Sequence, residues 1–418
     1  MKYKAEIFDK LQYLFEETKF NDHHLHCVIH FENKLNADIM KKAMTLLLKS
    51  EPLLSCVYKY NKGNSYWEAA SNSEFSDLFS VVTDETDFHT FTTSKTNELT
   101  GPQIKACLHS STKDSLSIIM NHMVCDAAGF KQCLYLLSYL YSNLIKDVGF
   151  SSIYAFNGDR SIQIITSQIG FFNKIKALLL QNKESNQRKS HQFPMSQDKN
   201  ISPFILTHTI SATRYMVLHD YSKQNNVTIN DIVLAAYYRA LAKLMSMEGK
   251  PLYIPIMIDM RRYLPEKSNH SLTNLSSTVI THIVVNPNDT FKKTLTKVHE
   301  EINMMKATQM GMNGFVKLAL VFKLFNNTHS YSITKKNLKN PYICMTNIGI
   351  VDSEKLIFEG SPVTDAFMCG SIKYRPHFQI ALSSFKNQIT FSSNLYGSIQ
   401  DRQTITDFFS LLDNELPC

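Results

Sequence analysis

The chain has 418 residues, of which 44% are hydrophobic and 19% charged, with a formal net charge of +7. These values are typical of a globular protein, and the length predicts two domains of about 200 residues each. The charge is modest and the lysines are scattered, so nucleic-acid binding is not expected. No run approaches the roughly 18 apolar residues of a membrane-spanning helix, so no transmembrane segment is expected.

The cysteines and the N-terminus indicate a compartment. Eight cysteines occur singly, without a CxxC pair, which disfavours the common zinc and redox sites and favours free thiols in a reducing compartment. Residues 1–15 are amphipathic and carry acidic side chains, unlike a signal peptide. We therefore expect a cytoplasmic protein.

The first clear strand pattern covers residues 24–31, where apolar side chains alternate with His24, His26 and His30. A His-x-His pair on a strand can bind zinc. The sequence offers no third ligand, however, so solvated or hydrogen-bonded histidines are the favoured interpretation and no metal site is predicted. A helix capped by Asn36 or Asp38 follows.

The most informative stretch is NHMVCDAAG at residues 121–129. Residues 115–120 before it predict a short buried strand. After it, apolar side chains recur at helical spacing: Phe130, Leu134, Leu137, Tyr141 and Leu144. His122 and Asp126 therefore lie between a buried strand and a buried helix. Because desolvating an imidazole and a carboxylate is costly without a partner or a task, this pair is a candidate functional site.

Composition divides the chain near its middle. Residues 166–200 contain a polar, basic stretch that we interpret as an interdomain linker or crossover. The first domain then covers residues 1–165 and the second covers residues 201–418. Residues 171–180 could form an amphipathic helix flanked by lysines. A packed surface helix is the favoured interpretation, and peripheral contact with an anionic membrane is the alternative.

The second half again alternates strands with helices. Residues 252–260 predict a buried strand that runs directly into Arg261. Residues 341–345 predict a short strand that leads into Asn347 and Gly349. Nearer the C-terminus, two alternating strands joined by two residues predict a hairpin over residues 377–396.

Five stretches of the chain resemble a known superfamily in order and spacing. They are SEPLLSCVY, NHMVCDAAG, VTINDIVLAAYYRAL, YIPIMIDMRRYLP and TNIGIVD. The pattern is similar to that of the chloramphenicol-acetyltransferase-like acyltransferases, which share an HxxxD motif and include condensation domains and alcohol acetyltransferases. The length favours a stand-alone member, because no carrier or adenylation module fits beside this domain.

The resemblance implies an α/β fold of two lobes, each a mixed sheet with helices, around a central channel. It implies His122 as the general base and Asp126 as the motif carboxylate. The donor would be an acyl thioester of coenzyme A or of carrier-protein phosphopantetheine, and the acceptor a small alcohol or amine. No tightly bound cofactor is implied, while an acyl carrier protein is a candidate partner.

The resemblance also implies roles for other side chains. Arg261 would form a buried bidentate pair with Asp126, the alternative being a solvated loop cation. Asn347 and Gly349 match a motif near the channel and are candidates for oxyanion or substrate binding, or they form a simple turn. Cys125 is interpreted as an apolar filler of the motif.

Two positions depart from the family pattern. Asn121 stands where many members have histidine, and Ala127 where many have glycine, with Gly129 two positions later. We expect the alanine to make the turn after Asp126 less permissive. These departures leave two alternatives to acyl transfer to a small acceptor. One is a condensation enzyme that joins carrier-bound partners by an amide, and the other is a non-catalytic ligand- or carrier-binding member.

Overall fold

The computed structural model describes residues 2–61, 64–70, 75–151, 158–167, 170, 191–264, 271–308, 310–337 and 341–418. The predicted amphipathic helix over residues 171–180, with its membrane alternative, lies outside the described residues. No described helix is both long enough and apolar enough to cross a bilayer.

The described α-helices, labelled α1 to α11 in chain order, are Ile7–Glu17, Ala37–Ser50, Glu85–Thr92, Ala127–Lys146, Gln163–Thr166, Ala212–Gln224, Ile229–Leu244, Phe291–Ala307, Met312–Leu324, Asn327–Asn337 and Ile399–Glu415. The described strands, labelled β1 to β15, are Lys2–Lys4, His24–Phe31, Cys56–Lys59, Tyr66–Ala69, Phe79–Val82, Ile104–His109, Ser115–Asn121, Ser202–Ile210, Pro251–Asp259, Ser276–Val284, Ile343–Ile350, Val363–Cys369, Lys373–Tyr374, Phe378–Phe385 and Gln388–Gly397.

The first lobe is built on a five-stranded sheet of order β12-β2-β7-β6-β5. Strand β2 is buried on both faces except at His30. One face lies in the core with helices α2 and α4, and the other packs at Val28 against Phe88 of helix α3. Helix α2 begins where the sequence predicts, since the Asn36 side chain accepts a hydrogen bond from Ile39 N at 3.0 Å. A smaller sheet of order β1-β4-β3 lies beside it.

The second lobe is built on a seven-stranded mixed sheet, with β10-β9-β11-β14-β15-β13 in order and β8 paired to β15. Helix α7 lies almost wholly within its core, and Thr228 and Asp231 close its N-terminus as a capping box. Strands β14 and β15 form the predicted hairpin. Its two turn residues, Lys386 and Asn387, have φ values of 43° and 62°, as a two-residue type I′ turn requires.

One strand of the second half belongs to the first lobe's sheet. Strand β12 pairs antiparallel with β2, with Phe367 opposite Val28 and Cys369 opposite His26. Met368 N also donates to Ser383 Oγ at 3.1 Å, which ties this strand to β14 of the other sheet. The proposed division at residues 166–200 does not anticipate this exchange of a strand.

Candidate active site

The turn that carries His122 is held by its own first residue. Asn121 ends strand β7, and its buried amide donates to Gln103 Oε1 at 2.9 Å. Its carbonyl oxygen accepts from Met123 N at 2.9 Å. Asn121, which stands where many members of the resembled superfamily have histidine, therefore makes two hydrogen bonds that fix the turn.

One of the two nitrogens of the His122 ring is held by a hydrogen bond. Nδ1 lies 2.9 Å from the carbonyl oxygen of Cys125, and because a carbonyl only accepts, Nδ1 carries the hydrogen. In the neutral ring Nε2 is then the basic nitrogen, and it has no hydrogen-bond partner among the described residues. Burial lowers the pKa of His122 and outweighs the charge of Asp126, which raises it. The ring is therefore neutral at neutral pH.

The Asp126 carboxylate organises the other side of the turn. Oδ1 accepts from Gly129 N at 3.1 Å and caps helix α4. Oδ2 accepts from Arg261 Nη1 and from Leu275 N, both at 2.8 Å. Burial acts to raise the pKa of Asp126, but the Arg261 charge and these hydrogen bonds outweigh it and hold the pKa below its ordinary value.

Arg261 contacts Asp126, but the expected bidentate geometry is wrong. Only Nη1 reaches the carboxylate, while Nη2 donates to Thr273 O at 3.1 Å. The guanidinium meets Asp126 through one nitrogen because Nη2 is directed to the Thr273 carbonyl instead. Bidentate geometry occurs elsewhere, where Arg160 Nη1 and Nη2 reach the two oxygens of the buried Asp9 at 3.0 and 3.1 Å.

Two features that the sequence did not indicate hold the HxxxD turn from outside. Asn274 Nδ2 donates to the carbonyl of His122 at 2.9 Å. Arg160 donates to the carbonyls of Val124 and Leu272, at 3.1 and 2.7 Å. Both residues lie in polar stretches without periodicity, so no local signal marks them.

The expected effect of Ala127 is wrong, because Ala127 is the first residue of helix α4 and its φ is not positive. A glycine is needed two positions later instead. A Cβ at Gly129 would lie 2.7 Å from Cys125 Cβ, closer than packing allows. Cys125 is fully buried, and burial raises the pKa of its thiol, so it is a packing residue and not a nucleophile.

The TNIGIVD motif forms a bulged end of strand β11. Asn347 Oδ1 accepts from Gly349 N at 2.8 Å, and its amide donates to Asn230 at 3.1 Å. Gly349 has φ +82°, a value that favours glycine. With the chain turned in this way, Lys131 Nζ reaches the carbonyls of Ile348 and Ile350, at 3.0 and 3.1 Å.

A cavity of about 350 Å³ lies between the two lobes. His122, Asp126, Arg261 and Asn347 all line it, whereas Gly349 acts through the bulge. The wall is mostly apolar and comes from both halves of the chain: Phe8, Leu11, Phe15, Phe20, Leu25, Met257, Ile258, Phe315, Leu318 and Ile348. Such a cavity with a few converging polar groups is typical of a small-molecule site.

The histidines of strand β2 lie away from this chemistry. His24 Nε2 lies 2.9 Å from Thr96 Oγ1, and His30 Nδ1 lies 2.8 Å from Ser115 Oγ. Burial lowers the pKa of His26 to about 4, so its ring is neutral. Across the described residues, no three histidine, cysteine, aspartate or glutamate side chains gather as a metal site would require.

No known family model and no curated protein sequence matches the chain. Solved structures do. The polyketide synthase associated protein 5 from Mycobacterium tuberculosis matches with a TM-score of 0.70 and 13% identity, over 99% of this chain and 97% of that chain. The trichothecene 15-O-acetyltransferase TRI3 from Fusarium sporotrichioides matches with a TM-score of 0.72 and 12% identity, over 100% and 96%. The first condensation domain of the calcium-dependent antibiotic synthetase matches with 0.73 and 11%, over 100% and 96%.

These identities are low, so the similarity establishes the fold and not the activity. It extends over the whole chain and over nearly the whole of each matched structure. The predicted fold class is confirmed: the chain has the two-lobed chloramphenicol-acetyltransferase-like fold of condensation domains and acetyltransferases.

Proposed function

We propose that the chain is an acyltransferase that moves an acyl group from a thioester to an alcohol or an amine, with His122 as general base. The observation that carries this proposal is the state of the His122 ring. Its Nδ1 is held by the Cys125 carbonyl, which leaves a basic Nε2 on a residue that lines the interlobe cavity. The shared fold with acetyltransferases and condensation domains supports the same class of reaction.

The reaction needs one proton acceptor. Nε2 takes the proton of the acceptor hydroxyl or amine while its oxygen or nitrogen attacks the thioester carbonyl carbon. The tetrahedral intermediate then expels sulfur, the carbon–sulfur bond breaks, and the imidazolium returns its proton to the departing thiolate. Asp126 would act by positioning the turn, because Arg261, Leu275 and Gly129 occupy its oxygens.

The donor would be acyl-coenzyme A or an acyl group on carrier-protein phosphopantetheine, and no tightly bound cofactor is required. The carrier protein remains a proposed partner. All eight cysteines are free thiols, and we place the protein in the cytoplasm as part of the proposal. Asn347 is the proposed donor of a hydrogen bond to the acyl carbonyl, on its position in the cavity wall.

Release of free thiol from a panel of acyl-coenzyme A and acyl-phosphopantetheine donors, with mixed alcohol and amine acceptors, tests the function. We expect His122→Ala to lower the rate by about 10²- to 10⁴-fold, the usual contribution of a general base. His30→Ala is the matched control, since His30 is hydrogen-bonded to Ser115 and lies outside the cavity lining.

Equal rates for the His122→Ala variant and the wild type would contradict the proposal. A wild type that binds donors without releasing thiol would favour the non-catalytic alternative. Product analysis separates the other alternative, because a condensation enzyme forms an amide only when both partners are carrier-bound.

A further inference from the structure

One part of the interlobe cavity holds a buried cation. Lys373, on the short strand β13, is only 4% exposed and lines the cavity. In the described part of the chain its ammonium makes no ion pair and no hydrogen bond, and it lies 4.5 Å from the ring centroid of Phe20. A buried charge of this kind is unfavourable unless something compensates it.

The nearby carboxylate of Asp22 does not pair with the Lys373 ammonium. Asp22 accepts hydrogen bonds through Oδ1 from Ile372 N and His24 N, at 2.9 and 3.2 Å. Its Oδ2 is buried without a partner, and burial raises the pKa of Asp22 to about 6. Burial lowers the pKa of Lys373. The charge of Asp22 acts to raise the pKa of Lys373, but the two side chains form no ion pair among the described residues.

Two neutral polar side chains line the same cavity as Lys373. Ser371 is two residues before Lys373 in the chain, lines the cavity, and has a buried Oγ without a hydrogen-bond partner among the described residues. The Gln379 side chain also lines the cavity. Its Oε1 lies 3.3 Å from where a Cβ would stand at Gly370, so the glycine leaves room for the amide. An ammonium, a hydroxyl and an amide together can surround an anion.

Another part of the same cavity is apolar. Helices α1 and α9 supply Phe8, Leu11 and Phe315 to its lining, and the rings of Phe8 and Phe315 lie 5.6 Å apart. A molecule that satisfies both regions has an apolar body and one negatively charged group. Water alone would solvate the Lys373 charge but would leave the apolar wall without a partner.

We propose that Lys373, with Ser371 and Gln379, forms a subsite for an anionic group of the substrate, so that the enzyme acts on amphipathic acids. Binding of an anion at this subsite does not require acyl transfer, but its interpretation as substrate specificity rests on the proposed function. The shared chemistry is a carboxylate or a phosphate monoester on an apolar chain. Neutral alcohols and amines of the same shape are disfavoured, because they leave the buried ammonium unpaired.

Binding to the full-length His122→Ala variant tests the subsite without requiring turnover. The probes are octanoate, octyl phosphate and octanamide, followed by titration calorimetry. We expect at least one anionic probe to bind about 10- to 100-fold more tightly than octanamide, as a charge-assisted pair does. Octanoate and octyl phosphate then show which anion the site takes.

Lys373→Met in the same background should abolish this preference, and Ser371→Ala should weaken it a few-fold. Lys105→Met is the matched control, because the Lys105 ammonium also lies over an aromatic ring, 5.1 Å from the centroid of Phe91, but outside the cavity lining. Equal binding of octanamide and both anions, or a preference that survives Lys373→Met, would overturn the proposal. These results stand even if His122 proves not to be catalytic.

We expect the Lys373→Met variant to fold, so a loss of anion binding would not reflect unfolding. Removing an uncompensated buried charge should leave Lys373→Met folded and raise its melting midpoint by a few degrees without ligand. If acyl transfer is found, Lys373→Met should lower turnover of acidic substrates and not of their neutral analogues. An equal loss with both would assign Lys373 to the transition state and overturn the subsite.

Discussion

At the scale of single residues, one carbonyl decides what His122 can do. Cys125 O holds Nδ1, so the nitrogen left for chemistry is unprotonated in the neutral ring. Burial lowers the pKa of the ring below its ordinary value of ~6.5. The ring is therefore neutral at neutral pH, as the proposed role of general base requires.

This pKa predicts the pH dependence of acyl transfer. The rate should be level across neutral pH and fall only as the pH drops through a midpoint below ~6.5. Initial rates of thiol release over a pH series measure that midpoint. Asp126→Asn should move it lower, since the Asp126 charge raises the pKa of His122, whereas Lys373→Met should move it higher. A wild-type midpoint above the ordinary histidine value would be incompatible with this account.

The Asp126–Arg261 pair is a second residue-scale prediction. Their side chains are only 9% and 13% exposed, so Asp126→Asn removes the buried carboxylate from Arg261 and leaves it the more exposed Asp259, 3.3 Å from Nη1, as a charged partner. We expect a loss of about 3 kcal/mol in the free energy of unfolding, measured with urea. The double variant Asp126→Asn/Arg261→Met should recover part of that stability but not the rate. A single variant as stable as the wild type would show that the pair contributes little.

The same pair has a definite pH signature. The pKa of Asp126 is depressed in the folded protein, so its contribution to stability is complete above the unfolded value near ~3.9. It is lost as the pH falls through the lower folded value. The stability difference between wild type and Asp126→Asn should therefore shrink only in strong acid.

At the scale of elements, the start of helix α4 is packed directly against the turn that precedes it. Gly129 lies so close to Cys125 that a side chain there would force the backbone apart. The turn and the start of the helix therefore pack as one unit. Cys125, the residue that Gly129 contacts, also supplies the carbonyl that binds His122 Nδ1. A small change in this packing should therefore displace the His122 imidazole.

We therefore expect Gly129→Ala to cost about 1–3 kcal/mol of unfolding free energy and to lower turnover as well. Gly314→Ala is the matched control for stability, because Gly314 lies in helix α9 with its nearest neighbour 3.8 Å from the added carbon. Its turnover is not compared, since Gly314 lines the cavity. That substitution should be neutral or slightly stabilising. Denaturant unfolding measures the stability of both variants, and thiol release measures the turnover of Gly129→Ala. Similar stability of the two variants would remove the packing argument.

At the scale of the whole molecule, the two halves complete each other. Strand β12 from the second half covers the edge of β2 in the first, and Arg261, Asn274 and Leu275 from the second half hold the HxxxD turn. The two lobes therefore depend on each other through hydrogen bonds and also through packing, since the core of the first lobe includes Ile348, Ala381 and Phe385 of the second half.

A fragment of residues 1–165 tests this dependence. Without β12 the edge of β2 is unpaired, and Asp126 loses two of its three hydrogen-bond donors, so we expect the fragment not to fold alone. Circular dichroism and amide exchange measure this, with the full chain as reference. A fragment that folds cooperatively by itself would support the domain division drawn from composition and contradict the dependence.

The sequence by itself determined the local elements and the position of the motif. Strand β7 and helix α4 follow from periodicity, the hairpin of β14 and β15 from its two-residue turn, and the start of helix α2 from a capping side chain. In each case the interactions join residues that are close in the chain, so the pattern of residues carries the information. The resemblance of five motifs then gave the fold class.

Only the tertiary structure decided the rest. The exchange of β12, the hydrogen bonds from Arg160 and Asn274 to the turn, and the single-nitrogen contact of Arg261 all join residues far apart in sequence. Nothing in polar, aperiodic stretches says which distant group they will meet, because burial and neighbouring charge arise only when the two lobes close. His122 is visible in the sequence, but the turn geometry that leaves its Nε2 unprotonated is held by contacts with the distant Arg261 and Asn274, which only the tertiary structure brings to it.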